Sequence, residues 1–189
     1  MAKNILHLHG FCSSPESWKA KLLAATLDER GLAKNFFCPH LSFIPDQAIS
    51  QAEKIISATK RSLTLTGSSL GGFYATWLAE KYGLKAVLIN PAVISRMSYE
   101  KFIGTQTNLY TRETFEFTVE HAEQLLKYQV PEVTPSRYLL MVETGDEVLD
   151  YQQAVRHYAN CKQIIIEGGS HSFTHFPHCL AQILEFAGL

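Results

Sequence analysis

No two cysteines in this sequence stand close enough to form a CxxC; Cys12, Cys38, Cys161 and Cys179 are scattered singly. That scatter speaks against a disulfide framework or a cysteine-based zinc site and predicts free thiols in a reducing compartment. HExxH, GxGxxG and GxxxxGK[ST] are also missing, so neither a metal nor a nucleotide cofactor is expected. Charge of one sign is scarce: 17 Lys and Arg face 18 Asp and Glu, a formal net charge of −1. Without a basic stripe, no nucleic acid or anionic membrane partner is predicted. Long apolar runs are lacking too. Ile5-Leu6-His7-Leu8 is too short for a signal peptide and far too short to span a bilayer, so the expected address is the cytoplasm. Repeats and low-complexity tracts are absent. What remains is an ordinary globular composition, 46% hydrophobic over 189 residues, enough for one domain spanning 1–189 with one core.

Within that plain background one stretch stands out, Leu63-Thr64-Leu65-Thr66-Gly67-Ser68-Ser69-Leu70-Gly71-Gly72-Phe73. Leu63 and Leu65 alternate with threonines as in a strand, and Phe73, Trp77 and Leu78 begin a helical spacing. Gly67-x-Ser69-x-Gly71 lies between. In a nucleophile elbow the serine is held at positive φ, and the positions two before and two after it have no room for a Cβ. Such a turn lifts the Ser69 hydroxyl above the sheet and aims the amide of Leu70 at a developing oxyanion.

Around the elbow, strand and helix signals alternate. Residues 5–9 read as a strand, and Ser13-Ser14-Pro15-Glu16 as the cap of a helix with Trp18, Leu22 and Ala25 on one face and Gly31 closing it. A short strand over 35–38 and a helix carrying Ile49, Ala52 and Ile56 precede the elbow. After it come the apolar run Ala86-Val87-Leu88-Ile89, a strand over 138–142, a helix over 151–159, a core strand over 163–167 and a last helix with Leu180, Ile183 and Leu184. This alternation predicts an α/β fold, a mostly parallel sheet with helices on both faces and a ligand crevice at the strands' carboxyl ends. Between about 93 and 135 the pattern weakens. That segment is expected to be a short helical insertion, helical near 118–128, acting as a lid or substrate wall, with Phe115 and Phe117 among its aromatics.

A serine nucleophile needs a base and an orienting acid, and in α/β-hydrolases these follow in the order Ser, Asp or Glu, His. Asp146 in Thr144-Gly145-Asp146-Glu147-Val148 and His171 in Gly168-Gly169-Ser170-His171 both follow strand ends. Asp146 ranks above Glu143, which ends its strand, above Glu147, and above Asp150, better placed as a helix cap. His171, His175 and His178 have ligand-like spacing, but the preceding glycines and Pro177 argue against one metal-binding helix. The loop after the first strand, His9-Gly10-Phe11, offers the amide of Phe11 as the second oxyanion donor.

Leu8-His9-Gly10-Phe11-Cys12-Ser13-Ser14-Pro15, Gly67-Ser68-Ser69-Leu70-Gly71-Gly72, Asn90-Pro91-Ala92, Thr144-Gly145-Asp146-Glu147-Val148-Leu149-Asp150-Tyr151 and Glu167-Gly168-Gly169-Ser170-His171-Ser172-Phe173 together resemble the bacterial YqiA-type esterases nearly end to end. One departure is Cys12, where that family is expected to carry asparagine. The resemblance implies an α/β-hydrolase fold, a Ser69, Asp146, His171 triad, and hydrolysis of short acyl esters and acyl-coenzyme A thioesters without a cofactor. From the residues alone, a peptidase or amidase on the same triad, and a ligand-binding protein that keeps the fold without turnover, stay open.

Overall fold

The structure is a computed structural model and describes residues 3–59, 63–94 and 102–189. Met1, Ala2 and the 95–101 part of the expected lid lie outside the described residues. Along the chain run β1 (Asn4–Leu8), α1 (Trp18–Glu29), β2 (Phe36–Phe37), α2 (Pro45–Ala58), β3 (Leu63–Ser68), α3 (Leu70–Tyr82), β4 (Lys85–Ile89), β5 (Gly104–Thr107), β6 (Thr114–Phe117), α4 (Val119–Leu126), β7 (Tyr138–Glu143), α5 (Tyr151–His157), β8 (Lys162–Ile166) and α6 (Phe176–Ala187).

Six strands form one sheet in the order β2-β1-β3-β4-β7-β8, and every pairing in it is parallel. Both faces are covered, which is why β4 and β7 carry unbroken apolar runs at 86–89 and 138–142. Leu6, Leu8, Leu88 and Leu140 face a core shared with α2 and α3, while Ile5, Val87, Ile89, Leu139 and Met141 face one shared with α1 and α6. From β1 the chain goes outward to β2 and then returns to the other side of β1 as β3. The strand order therefore reverses between β1 and β3, the place where open α/β sheets leave a crevice at their carboxyl ends. Registers Leu8↔Gly67, Ser68↔Ile89, Ile89↔Met141 and Glu143↔Ile166 bring five strand ends to one rim.

Several expectations need correction. Ser13-Ser14-Pro15-Glu16 forms a turn, with the Glu16 amide on Ser14 Oγ at 3.0 Å, and α1 starts only after Ser17. Its buried face is Ala20, Leu23 and Leu27, not Trp18, Leu22 and Ala25; Trp18 is 39% exposed and Ala25 faces solvent. The inward stripe lies one to two positions further along the helix than expected. Gly31 does close α1, its amide donating to Asp28 and that of Leu32 to Leu27. The strand at 162–166 is the sheet's edge rather than a core strand, with Ile165 48% exposed. The insertion is more than helical: β5 and β6 form an antiparallel hairpin before α4. Thr114-Phe115-Glu116-Phe117 alternates with the period of two that a strand requires.

Candidate active site

At the end of β3 the backbone turns at Ser69 with φ 55° and ψ −120°, a conformation that L-residues rarely hold. Neighbouring backbone fixes it there. The Ser69 amide donates to the Ile89 carbonyl at 3.0 Å, and the Ser69 carbonyl accepts from Gly72 at 2.9 Å and Ala92 at 3.1 Å. The flanking glycines are required by close approach: a Cβ on Gly67 would land on the Gly71 carbonyl, and one on Gly71 on the Leu8 carbonyl. Neither obstacle is a side chain that can swing away. Gly71→Ala is accordingly expected to cost about 3 kcal/mol and lower Tm by roughly 10 °C, read by calorimetry; an unchanged Tm would show the turn to be looser than described.

Ser69 Oγ lies 3.1 Å from His171 Nε2, and His171 Nδ1 lies 2.8 and 3.0 Å from the two carboxylate oxygens of Asp146. Because a carboxylate only accepts, the ring proton sits on Nδ1, leaving the Nε2 lone pair facing the serine hydroxyl. The Asp146 side chain is fully covered. Its Oδ1 also accepts the amides of Val148 at 2.9 Å and Leu149 at 2.8 Å, so its position is set by the loop that follows it. Glu147 and Asp150 have other tasks: Glu147 accepts the His171 amide at 2.9 Å, and Asp150 caps α5 through the Gln152 amide at 3.0 Å.

Two positioning residues were not recognised from sequence. Glu143, weighed only as a rival acid, is fully buried and gathers the loop that carries His171. It accepts the amides of Ser170 at 2.6 Å, Thr174 at 3.1 Å and His175 at 2.7 Å, and the His175 ring at 2.8 Å. Burial pushes its carboxyl up, but these hydrogen bonds together outweigh that and hold it below the ordinary value. Asn90, at φ 41°, donates from Nδ2 to the carbonyls of Ser170 at 3.0 Å and His171 at 3.2 Å, and its Oδ1 accepts the Glu143 amide at 3.0 Å. In each case the sequence trace was a polar residue closing an otherwise apolar strand. His175 caps α6 and His178 lies within it, whereas His171 is on the preceding loop, so the three histidines do not share a helix.

The first-strand loop passes close by: a Cβ on Gly10 would lie 3.3 Å from Ser69 Cβ, which brings the Gly10-Phe11 peptide beside the candidate nucleophile. His9 steadies this loop. Its Nε2 accepts the Leu41 amide at 3.0 Å, so the ring proton is on Nδ1, which meets the Gly10 carbonyl at 3.0 Å. Burial keeps the ring neutral, pulling its pKa down to about 4. Leu70, the other expected donor, is the first residue of the 13-residue α3, at the positive end of its dipole.

A cavity of about 320 Å³ opens beside Ser69 and His171, walled by Leu70, Ile94, Phe102, Phe117 and Leu149. Phe117 is thus in the wall. Phe115 is not: it stacks on Phe43 with ring centroids 4.2 Å apart and borders a neighbouring cavity behind the Phe11 ring. Phe11 packs edge-on against both, at 5.0 Å from Phe117 and 5.7 Å from Phe115. The hairpin is tied to the same loop, the Leu109 amide donating to the Cys12 carbonyl at 2.9 Å and Asn108 Nδ2 to that of Ser13 at 2.8 Å.

A family model for an uncharacterised protein family, UPF0227, matches residues 4–188, nearly the whole chain. The chain belongs to that family. Solved structures show the fold of this UPF0227 member to be that of the α/β-hydrolases. The α/β-hydrolase domain-containing protein 10 from mouse is 17% identical with a TM-score of 0.73, over 100% of this chain and 90% of that one. Est1E from Butyrivibrio proteoclasticus, solved with ferulic acid, is 15% identical with a TM-score of 0.70, over 98% and 88%. A monoacylglycerol lipase from Paleococcus ferrophilus is 16% identical with a TM-score of 0.66, over 97% and 93%.

The departure at Cys12 has a physical side. Cys12 holds φ 54°, in the left-handed region that asparagine tolerates better than most side chains. Burial raises its thiol above the ordinary range, so it is a poor nucleophile despite lying in the cavity wall.

Proposed function

We propose that this UPF0227 member is a serine esterase that hydrolyses short acyl esters, and acyl-coenzyme A thioesters, through an acyl-enzyme on Ser69. The reading is carried by one observation, the unbroken hydrogen-bonded line from Asp146 through His171 to the hydroxyl of a strained elbow serine at the mouth of an apolar cavity. His171 Nε2 takes the Ser69 proton as Oγ attacks the acyl carbon, and the amides of Phe11 and Leu70 receive the oxyanion. As the carbon–oxygen bond to the leaving alcohol breaks, His171 returns the proton to that oxygen. Water then repeats the sequence and frees the acid. No step calls for a metal or an organic cofactor.

A cavity of about 320 Å³ is small for a ligand site, which favours short acyl groups. The insertion supplies part of the wall through Ile94, Phe102 and Phe117, and the chemistry lies outside it. Phe117→Ala is therefore expected to raise the kcat/KM of longer acyl esters relative to short ones, with roughly 1–3 kcal/mol per methylene of contact at stake. Phe115→Ala should shift the profile less. An unchanged chain-length profile in both variants would make these aromatics packing residues only. Among the described residues no helix is long and apolar enough to cross a membrane; the four free thiols support placing the protein in a reducing compartment, the cytoplasm. The function is tested by a hydrolysis panel of acyl esters and thioesters with Ser69→Ala as control; activity equal to that control across the panel overturns it.

A further inference from the structure

A second, smaller cavity of about 150 Å³ also borders Ser69 and His171, and its character differs from that of the acyl cleft. Its wall includes His7, Ser17, Lys19 and Tyr110; Lys19 is its one ammonium, and no Asp or Glu lines it among the described residues. Lys19 Nζ donates to the Ser172 carbonyl, next to the candidate base, at 2.8 Å. An ammonium has three protons, so donors remain for a ligand. Burial pulls Lys19 down to about 8 against the opposing pull of Glu143 and Asp146. Near neutral pH it is still a cation, short of counter-charge on the cavity side.

His7 adds an independent observation. It is fully buried, its Nδ1 is 2.8 Å from Thr66 Oγ1, and its Nε2 has no partner. Burial keeps the ring neutral, with a pKa lowered to about 3. A buried ring nitrogen without a partner gains from a polar group of complementary donor or acceptor character that enters the cavity.

We propose that this cavity is the subsite for the leaving alcohol, and that it selects alcohols bearing a carboxylate or phosphate a few bonds from the ester oxygen, held by Lys19. The proposal rests on the esterase reading above. The apolar cavity suits the acyl chain, and the polar one, bordered by the same serine and histidine, is left for the group whose oxygen His171 protonates. Its small volume keeps the anion near the ester. The phosphates of a coenzyme A thioester stand a whole pantetheine arm from the sulfur and would gain nothing from this contact.

The test compares O-butyrylglycolate with O-butyrylglycolamide, nearly isosteric esters of which only the first carries a charge. The wild type should favour the anionic ester by about tenfold or more in kcat/KM, the usual scale of a charge-assisted hydrogen bond. Lys19→Met should remove that preference, lowering the anionic ester's kcat/KM far more than the amide's, and Lys19→Arg should keep most of it. Hydrolysis of both esters with no dependence on the charge at position 19 overturns the anion subsite and leaves the esterase standing. Binding of O-butyrylglycolate to Ser69→Ala protein, followed by NMR titration, needs no turnover. Binding that Lys19→Met abolishes, in a protein whose wild type hydrolyses neither ester, keeps the subsite and overturns the esterase; absence of such binding overturns the subsite.

Discussion

Alanine at Ser69 is expected to lower ester hydrolysis by on the order of a million-fold and to leave the protein folded. Ser69 Oγ has His171 Nε2 as its partner at 3.1 Å, at the mouth of a cavity rather than in a core. What fixes the turn is backbone: the bonds from Ser69 to Ile89, Gly72 and Ala92, and the tight glycines on either side. Alanine keeps all of these. Near-normal turnover in a folded, purified variant would remove Ser69 from the mechanism, whereas loss of activity with loss of fold would be settled by comparing far-UV circular dichroism and Tm with wild type.

Asp146→Asn should cost about ten-thousand-fold in kcat. A carboxamide can turn its N–H toward His171 Nδ1, which moves the ring proton to Nε2 and takes the lone pair away from Ser69. The adjacent carboxylates provide the controls. Glutamine at 147 keeps an oxygen for the His171 amide, and asparagine at 150 still caps α5, so both variants are expected within about tenfold of wild type. If Asp150→Asn were the severe variant in steady-state kinetics, the acid would have been assigned to the wrong carboxylate.

Much of the fold was legible because local and global preferences agree along most of the chain. The runs at 86–89 and 138–142 carry apolar residues at successive positions over a strand-like length, as a strand buried on both faces of a parallel sheet does, and both lie inside the sheet. Local geometry made the elbow readable: glycines at 67 and 71 answer a steric demand that operates within five residues. Elsewhere the outcome depended on distant partners. Ala25 and Leu23 both suit a helix face; which one is buried follows from the packing of α1 against the sheet and α6. Phe115 and Phe117 point to the same side of their strand, yet the Phe11 ring separates them into two cavities. Glu143 could not be told from a rival acid, because its role is set by amides 27 to 32 positions away.

The most direct test of the central claim is covalent capture of the nucleophile. Incubation with a small alkyl fluorophosphonate, followed by intact-mass and peptide mass spectrometry, should give one adduct per chain, carried by Ser69, with Asp146→Asn and His171→Ala labelled far more slowly. An unlabelled wild type, or an adduct on Ser68, Ser170 or any other residue in place of Ser69, would contradict the account.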